Sequence, residues 1–472
     1  MIVMKFGGSS VANAERIRHV AEIVKTQIAR KPVLVLSAMG DTTDILLEAG
    51  DAACQKGIVS FEQIKKSHLA ALKNLKVTKQ DGQKEIKALL DELERLLSGI
   101  SLIKELTPRT RDYLVSFGER LSVRIAAAYF SELGIKAQSF DAWDLGFVSN
   151  SNYMSAELLP ESWELIPQKL APHIKAGVLP VVTGFLARDK NGNITTLGRG
   201  GSDLSATMIA ASCKAEEAQV WKDVDGILTA DPRIVKNAKP VEVITYDEAA
   251  ELAYFGAQVL HPRAMQPCMK TGTPVLVKNS YNPGAPGTKI VSSITSSTVS
   301  PTVSPTASSP ENLQKGTKAS PGAKKHILVR TITSKRNVTL IDIVSSRMLG
   351  QFGFLAEVFS SFARHSISVD MVATSEVSIS LTLDAAHDLT ALKKDLTQIA
   401  SVGIKTGKAI VTLIGDVRRS SEILSRSFKI CETIGVTVQM VSHGASKVNI
   451  SFIVDDAQAP EVVQALHLGF FE

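Results

Sequence analysis

The sequence predicts an α/β protein in which a doubly wound parallel sheet lies between two layers of helices and is followed by two small α+β domains. The first observation is an alternation at the N-terminus, where apolar runs at 2–6 and 33–36 flank an amphipathic stretch at 11–30. Strand, helix and strand at this spacing are typical of a parallel βαβ unit. The second observation is a β–α–β–β pattern that occurs twice after residue 326, which indicates a duplicated domain.

We assign residues 1–290 to the larger domain. A Gly-Gly-Ser-Ser turn follows its first strand, and Pro32 leads into its second strand. Residues 60–107 are rich in Lys, Glu and Leu at helical spacing, which predicts a helical insertion on the sheet. Further strands are predicted at three apolar segments, 178–183, 218–221 and 274–278.

The composition changes abruptly at residues 291–325. Most residues between Ser292 and Pro310 are Ser, Thr or Pro. Such a segment buries too little apolar surface to offset the entropy that ordering it would cost. We predict a flexible linker here, and a regulatory phosphorylation role for it stays open.

Residues 326–400 and 401–472 follow one plan, which predicts two small domains. In each, a strand leads through a Gly or Ser turn into a helix, and further strand-like sequence follows. The predicted strand, helix and strand are 327–333, 353–365 and 377–383 in the first domain, and 409–414, 421–435 and 447–454 in the second.

Charge and cysteine content limit the partners. Lys plus Arg total 53 and Asp plus Glu total 47, and the net charge of +6 forms no basic block. This fits small anionic ligands and argues against nucleic acid. The four cysteines form no CxxC pair, which argues against a structural zinc site and a disulfide framework.

The sequence also bears on location. No apolar run approaches the roughly 20 residues that a membrane span needs, and strand-like sequence starts at once without a signal segment. We therefore expect a cytoplasmic protein with no membrane partner. An enzyme of the plastid stroma whose transit peptide had been removed would show the same features.

The first motif follows the first strand, where Lys5 is followed by Phe6, by Gly7 and Gly8 and by Ser9 and Ser10. The glycines let backbone N–H groups approach an anion, and the helix N-terminus adds a favourable dipole. The lysine offers a point charge to a transferring phosphoryl group. The pattern differs from the GxxxxGK[ST] phosphate loop, and a merely structural strand-to-helix turn remains the alternative.

The second motif, Gly198-Arg-Gly-Gly-Ser-Asp203, precedes a predicted helix. Ser202 fits an N-cap and Asp203 a first-turn acid, so both have an ordinary structural explanation. Arg199 has none, because capping needs no arginine between glycines, whereas bidentate binding of a carboxylate does. The sequence therefore predicts a ligand role for this loop.

Two further motifs leave their alternatives open. Glu119 lies inside an otherwise apolar helix start, where it is a solvated charge, a capping-box member or the partner of a substrate ammonium. Asp223 and Asp225 follow a predicted strand, and either a metal ligand pair or a Gly-Asp-rich turn explains them equally well.

Together these motifs resemble the motif set of aspartate kinases, in the same order and at similar spacing. They are Lys5-Phe-Gly-Gly-Ser-Ser-Val11, Ser116-Phe-Gly-Glu-Arg-Leu-Ser122, Gly198-Arg-Gly-Gly-Ser-Asp203, Trp221-Lys-Asp-Val-Asp-Gly226 and Phe255-Gly-Ala-Gln-Val-Leu-His-Pro262. The resemblance implies an amino-acid-kinase-type α/β/α sandwich that transfers phosphate from ATP, with Mg²⁺ carried by the nucleotide, to the side-chain carboxylate of aspartate. The chain departs from the family at Gln258, where many members have lysine.

The resemblance also implies roles for individual residues. Lys5 and Asp203 would form the phosphoryl-transfer centre. The implied aspartate pocket is Thr43, Glu119, Phe185, Arg199 and Ser202. The implied ATP site is Lys5, Gly7, Gly8, Ser9, Trp221, Lys222, Asp223, Asp231 and Arg233.

The duplicated tail resembles the ferredoxin-like ACT domains of monofunctional, lysine-sensitive aspartate kinases. This implies feedback inhibition by an amino acid, with lysine expected, and a homodimer or larger homo-oligomer formed through these domains. S-adenosylmethionine or threonine as a co-effector stays open. The implied effector site is Met348, Gln351, Gly353, Leu355, Val369, Asp370, Thr374, Ser375 and Glu376. The rival interpretations are another enzyme of the amino acid kinase family and a catalytically inactive amino-acid sensor.

Overall fold

The computed structural model describes residues 1–255, 260–294, 327–345, 352–384, 388–444 and 446–472. The chain forms two compact units. The described residues of the first unit lie within 1–227, 242–250 and 260–294, and those of the second lie within 228–241, 251–255 and 327–472. Two short segments that we had assigned to the larger domain, 228–241 and 251–255, thus pack with the second unit. The predicted linker lies almost entirely outside the described residues.

An eight-stranded sheet forms the centre of the first unit, in the order β3-β5-β2-β1-β8-β10-β11-β9. Neighbouring strands from β3 to β10 pair in parallel, and β11 pairs antiparallel with β10. A smaller sheet has the order β4-β6-β7. The strands of this unit are β1 (Val3–Phe6), β2 (Val33–Leu36), β3 (Ala137–Phe140), β4 (Val148–Ser149), β5 (Leu179–Thr183), β6 (Leu186–Asp189), β7 (Ile194–Thr196), β8 (Ala218–Lys222), β9 (Val243–Thr245), β10 (Val275–Asn279) and β11 (Thr288–Val291).

Helices flank the large sheet and bury its apolar strands. Every residue of β1 and β2 is buried, as expected for a parallel sheet covered on both faces. Phe6, Phe117 and Phe130 are fully buried in this core, and each such side chain contributes about 1.5–3 kcal/mol to folding. The helices are α1 (Ala14–Gln27), α2 (Thr42–Lys56), α3 (Glu62–Asn74), α4 (Gln80–Ile103), α5 (Pro108–Glu132), α6 (Ser162–Lys175), α7 (Gly201–Ser212), α8 (Tyr246–Tyr254) and α9 (Pro262–Thr271).

The second unit contains a six-stranded sheet in the order β13-β14-β12-β15-β17-β16. Its two central strands, β12 and β15, pair antiparallel and join the two repeats. The strands are β12 (Val329–Val344), β13 (Val372–Thr374), β14 (Ser378–Asp384), β15 (Ser401–Gly415), β16 (Met440–Ser442) and β17 (Asn449–Asp455). The helices are α10 (Phe354–Arg364), α11 (Thr390–Leu396), α12 (Ser420–Thr433) and α13 (Ala459–Phe471).

The predicted fold class is confirmed, but two strands are much longer than predicted. The sequence predicts a strand at 409–414, whereas β15 begins at Ser401. The prediction misses this start, because none of the first eight residues of β15 is buried and the apolar pattern starts only at Ala409.

The sequence predicts a strand at 327–333, whereas β12 continues to Val344. A register shift between Lys335 and Val338, with Asn337 in the left-handed region at a φ of 54°, marks an irregularity in the strand. Bulges of this kind bend a strand and let it serve two partners, and the polar Lys-Arg-Asn sequence there conceals the continuation.

Candidate active site

A cleft of about 470 Å³ opens in the first unit beyond the carboxyl ends of β1, β2 and β5. Ligands of open parallel sheets bind at this edge, because the loops that leave the strands meet there. The cleft is lined by Lys5, Gly8, Ser37, Ala38, Gly40, Thr43, Glu119, Phe185, Gly198, Arg199, Gly200, Gly201, Ser202 and Asp203. It brings together both proposed catalytic residues and all five residues of the proposed aspartate pocket.

Lys5 and Asp203 form an ion pair inside the cleft. Lys5 is the third residue of β1 and Asp203 lies in the first turn of α7, and their Nζ and Oδ1 atoms are 2.7 Å apart. Lys222 Nζ lies 3.8 Å from the other oxygen of Asp203. Burial opposes ionisation of Asp203, but the charges of Lys5 and Lys222 outweigh it and hold the pKa of this carboxyl below its usual range. Asp203 is therefore ionised and fixes the Lys5 ammonium.

Two glycines let the backbone approach the cleft. A Cβ on Gly8 would lie 2.9 Å from the Gly40 carbonyl oxygen, so no larger residue fits there. Gly200 adopts a φ of 75°, which favours glycine, and occupies the N-cap of α7. The sequence interpretation of Ser202 as the N-cap is therefore wrong, because the N-cap lies two residues earlier and Ser202 is the second residue of the helix. Ser202 lines the cleft instead.

Glu119 lies in the middle of α5 and is buried, which excludes the solvated and capping alternatives. The Ala38 N–H donates to its Oε1 at 3.2 Å, while Oε2 has no hydrogen-bond partner among the described residues. Burial raises the pKa of Glu119 to about 8, against the opposing effects of the Ala38 N–H and of Lys5. A buried carboxyl with a free oxygen at a cleft is suited to receive a cationic ligand group.

Arg199 and Phe185 complete this part of the cleft. Arg199 is exposed and has no acceptor for its guanidinium group among the described residues. Phe185 adopts a φ of 65°, a conformation that costs a bulky residue energy and is concentrated at functional sites. Its N–H donates to Ser205 Oγ of α7 at 3.1 Å, which ties the strand end to the helix.

Sequence reasoning missed the loop after β2. Ser37, Ala38 and Gly40 line the cleft, yet they form no motif that we had singled out. Their position directly after a predicted apolar strand was the available signal, since such loops bind ligands in parallel sheets.

The residues proposed for ATP divide between several places. Lys5 and Gly8 line the cleft, and a Cβ on Gly7 would lie 3.6 Å from the Lys5 amine. Trp221 at the end of β8 is buried and stacks on Phe6, with 5.7 Å between the ring centroids. Ser9 and Asp223 are exposed and do not line the cleft.

Asp231 and Arg233 belong to the second unit. There the Arg233 Nη2 group lies 2.7 Å from Asp231 Oδ2, and Arg233 holds the pKa of this carboxyl below its usual range. Of the acidic pair considered as metal ligands, Asp225 accepts hydrogen bonds from Asn279 Nδ2 at 2.9 Å and Asn282 Nδ2 at 3.3 Å. Asp225 thus has the structural role of the Gly-Asp-rich turn, which was one of its two interpretations.

The proposed effector residues lie in the second unit. Met348, Gln351 and the variant position Gln258 fall outside the described residues. Gly353 caps α10, Leu355 lies exposed in its first turn, and Val369 packs partly buried against the core of the first repeat. The remaining exposed members, on β13 and in the turn after it, are Thr374, Ser375 and Glu376.

Asp370 is already engaged by other side chains. Its Oδ2 lies 2.7 Å from Lys335 Nζ, and its Oδ1 accepts a hydrogen bond from the Tyr254 hydroxyl at 3.0 Å. Lys335 also pairs with Asp384 at 2.9 Å. Burial opposes the charge of Lys335, but Asp370 and Asp384 outweigh it and raise the pKa of the ammonium group. The side chain of Asp370 is only 6% exposed, so it is no free surface charge.

Comparisons with known proteins agree with this architecture. Residues 1–279 match the amino acid kinase family, and residues 341–394 and 411–470 match the ACT domain. Aspartokinase 1, chloroplastic, of Arabidopsis thaliana is 49% identical over the whole chain and 80% of its own length. Lysine-sensitive aspartokinase 3 of Escherichia coli is 34% identical over the whole chain and 99% of its own length.

Solved structures show the same likeness. Aspartokinase III of E. coli in complex with aspartate and ADP matches with a TM-score of 0.76 at 32% identity, over the full length of both chains. Its complex with lysine and aspartate matches with a TM-score of 0.77 over the same lengths.

Among the described residues, no helix combines the length and the apolar composition that a membrane span requires.

The fold and the cleft therefore define an amino acid kinase joined to ACT domains. More narrowly, the chain belongs to the aspartokinase family, the enzymes that phosphorylate aspartate. The resemblance seen in the sequence is confirmed.

Proposed function

We propose that the cleft holds aspartate between Arg199 and Glu119 and directs its side-chain carboxylate toward the γ-phosphate of ATP beside Lys5. The free oxygen of Glu119, whose pKa is raised to about 8, carries this proposal. A substrate ammonium would give that oxygen its missing partner. Arg199, which has no acceptor among the described residues, would bind the α-carboxylate in the bidentate manner. Leaving either charge unpaired in a closed site costs roughly 2–5 kcal/mol.

The reaction explains why the cleft needs no general base. An aspartate side chain has a pKa near 4 in solution and attacks in its ionised form at neutral pH. The obstacle is the approach of this anion to a polyphosphate, so catalysis consists of positioning and charge neutralisation. Lys5, fixed by Asp203, and the backbone N–H groups around Gly8 supply that neutralisation.

The nucleotide fits the same edge of the sheet. Lys222 follows Trp221 at the end of β8, and its Nζ lies 3.8 Å from Oδ2 of Asp203, whereas Lys5 pairs with Oδ1. Magnesium brought by ATP would neutralise further phosphate charge, and Asp203 is the carboxylate placed to order its water shell. The ADP and aspartate bound by the E. coli relative support a nucleotide beside the aspartate pocket.

Lysine is the effector we propose for the second unit, and the lysine complex of the E. coli relative supports it. The first repeat offers Asp370 and Asp384 around Lys335, which leaves one excess negative charge. A lysine ammonium would bind by competing with Lys335 for Asp370. The exposed Glu376 is the second carboxylate proposed for it.

Location and assembly stay predictions. The three relatives from A. thaliana are named as chloroplastic, which supports the plastid stroma as the alternative to the cytoplasm. A homo-oligomer formed through the ACT repeats remains expected from the resemblance.

Release of ADP tests the proposed reaction. The full chain should release ADP with aspartate and MgATP and should give little turnover with glutamate, whose extra methylene moves its carboxylate out of line. Acyl phosphate should be trapped as the hydroxamate in equal amount. Equal turnover with glutamate, or ADP release without trapped acyl phosphate, would show that the assigned substrate pocket is wrong.

A further inference from the structure

A second groove in the first unit lies apart from the cleft. It has a volume of about 630 Å³ and is formed by the end of α4, the start of α5 and the hairpin of β6 and β7. Its polar lining consists of Arg95, Arg109, Thr110, Tyr113, Arg188 and Asn193. Three arginines therefore line one concave surface.

These arginines are distinguished by their lack of partners. None of the three guanidinium groups has a hydrogen-bond acceptor or an ion-pair partner among the described residues. Within the described part of the first unit, only Arg199 of the cleft shares this property. Every other arginine there contacts an acceptor, and examples are Arg111 with Asp51 at 2.6 Å and Arg124 with Asp141 at 2.9 Å.

Arg188 is held in place without being neutralised. Its guanidinium carbon lies 4.5 Å from the centroid of the Trp143 ring, which fixes the side chain by a cation–π contact. Its Nε is buried and has no partner among the described residues. A buried donor without an acceptor lowers the stability of the folded protein, and a bound acceptor would remove this penalty.

The neighbouring carboxylates do not balance this charge. Glu92 accepts a hydrogen bond from the Tyr113 hydroxyl and pairs with Arg120 at 3.3 Å. Asp144 forms no ion pair with Arg188. Burial raises the pKa of Asp144, and the nearby positive charge of Arg188 only partly opposes this effect.

Asp189 accepts hydrogen bonds from Asn193 Nδ2 at 3.2 Å and from the Tyr153 hydroxyl at 3.1 Å, and it pairs with no arginine among the described residues. Three arginines against Asp144 and Asp189 leave the groove with at least one positive charge in excess at neutral pH.

We propose that this groove binds a small organic anion that carries at least two negative charges, as phosphate or as carboxylate. Planar guanidinium groups match both oxyanions bidentately. Thr110 and Asn193 add neutral hydrogen-bonding groups. Leu96, Ile100 and Ile194 form an apolar wall that a carbon skeleton would contact.

Calorimetric titration of the full chain tests the proposal, with ADP and aspartate saturating so that the cleft is filled. Pyrophosphate and citrate are the two probes, which represent the phosphate and carboxylate sources. At least one should bind with a sub-millimolar Kd, and that Kd should rise at least tenfold in both Arg188→Gln and Arg109→Gln. Arg109 is exposed, so its replacement leaves the core intact even if Arg188→Gln disturbs the packing on Trp143.

Arg111→Gln is the matched control, because Arg111 lies on the same helix, carries the same charge and pairs outside the groove with Asp51. Its Kd for the bound probe should equal that of the wild type. Absence of binding by both probes would overturn the proposal. So would an affinity that falls equally in Arg109→Gln and Arg111→Gln, since this would reflect net charge alone. Neither result depends on whether aspartate is the substrate of the cleft.

Discussion

Two buried carboxyl groups in one cleft have opposite electrostatic environments. Lys5 and Lys222 hold the pKa of Asp203 below its usual range, whereas burial raises the pKa of Glu119 to about 8. Pairs of titratable groups with divergent pKa values mark functional sites and separate the roles within them. Here Asp203 pairs with Lys5, and Glu119 is the group that we propose as the partner of the substrate ammonium.

Replacement of Arg199 and replacement of Lys5 should change different kinetic parameters. Arg199→Ala should raise the KM for aspartate at least tenfold, or about 1.4 kcal/mol, and change the KM for ATP much less, because only the α-carboxylate contact is lost. Lys5→Ala should lower kcat sharply with modest effects on either KM. Steady-state kinetics with each substrate varied would show this, and an unchanged KM for aspartate would contradict the role of Arg199.

Glu119 should make aspartate binding depend on pH. The substrate ammonium pairs with the ionised carboxylate, so kcat/KM for aspartate should rise from pH 6 and level off above the pKa of about 8. Glu119→Gln should lower kcat/KM and remove this rise. The same slope in both enzymes would exclude Glu119 as the titrating group.

Stability gives an independent measure of the same group. The pKa of Glu119 is raised above the ordinary glutamate value of 4.5, so its contribution to stability is fully present below pH 4.5 and is lost as the pH rises through about 8. The Tm of the ligand-free enzyme should therefore fall between pH 5 and pH 9 relative to that of Glu119→Gln. Differential scanning calorimetry of both proteins would provide the comparison.

At the scale of elements, the two repeats of the second unit place different residues at equivalent positions. The Asp370 N–H donates a hydrogen bond to the carbonyl oxygen of Thr382, which lies two residues before the last residue of β14, Asp384. In the second repeat, the Gln439 N–H donates to the carbonyl oxygen of Ile453, which lies two residues before the last residue of β17, Asp455. Asp370 and Gln439 therefore occupy equivalent positions. In the second repeat, Gln439 Nε2 donates to Asp455 at 2.9 Å, and Lys408 pairs with that same aspartate. The first repeat therefore keeps an excess carboxylate that the second lacks, which favours the first as the site for a cationic effector.

Feedback inhibition should follow this difference in charge. Lysine should inhibit the wild type, and Asp370→Ala or Glu376→Ala should weaken that inhibition while leaving activity without lysine largely intact. Lys335→Met should lower the lysine concentration for half inhibition, since it removes the competing ammonium. Gln439→Ala, at the equivalent position, is the control and should stay fully sensitive. Full sensitivity of both carboxylate variants would contradict the effector site.

At the scale of the whole molecule, residues within the span that matches the amino acid kinase family are part of the second unit. Ala230 and Val235 lie in the core of the second repeat, and Thr229 Oγ1 lies 2.9 Å from the buried His467 Nε2. Phe255 packs against Met371 and Met440, which occupy corresponding positions in the two repeats. An effector can change activity only if it binds the inactive conformation of the enzyme better than the active one. The segments at 228–241 and 251–255 belong to the second unit and are continuous in sequence with residues of the first unit.

Assembly of the chain through the ACT repeats should raise the molecular mass measured in solution above that of one chain. Leu355 and Phe359, four residues apart on α10, are 43% and 36% exposed, and an apolar pair on one helix face is suited to an interface. Light scattering at micromolar concentration should give at least twice the chain mass of 50.7 kDa. A monomer that persists as the concentration rises would contradict the expected oligomer.

Sequence periodicity was sufficient for most elements. Apolar runs predicted β2, β5 and β8 closely, because a parallel strand buried on both faces must be apolar along its length. Helical spacing predicted α1, α10 and α12, whereas α11 and α13 of the two repeats were not predicted. The bounds of β12 were missed, since its polar bulge interrupts the pattern on which the prediction depended.

The sequence by itself determined the class of fold, the duplicated tail and the family, because these depend on local periodicity and on the order of motifs along the chain. The tertiary structure alone excluded the solvated and capping interpretations of Glu119, paired Lys5 with Asp203 across nearly 200 residues, and engaged Asp370 with Lys335 and Tyr254. Charge state and pairing depend on burial and on atoms that come from distant parts of the chain. Local pattern carries no record of either.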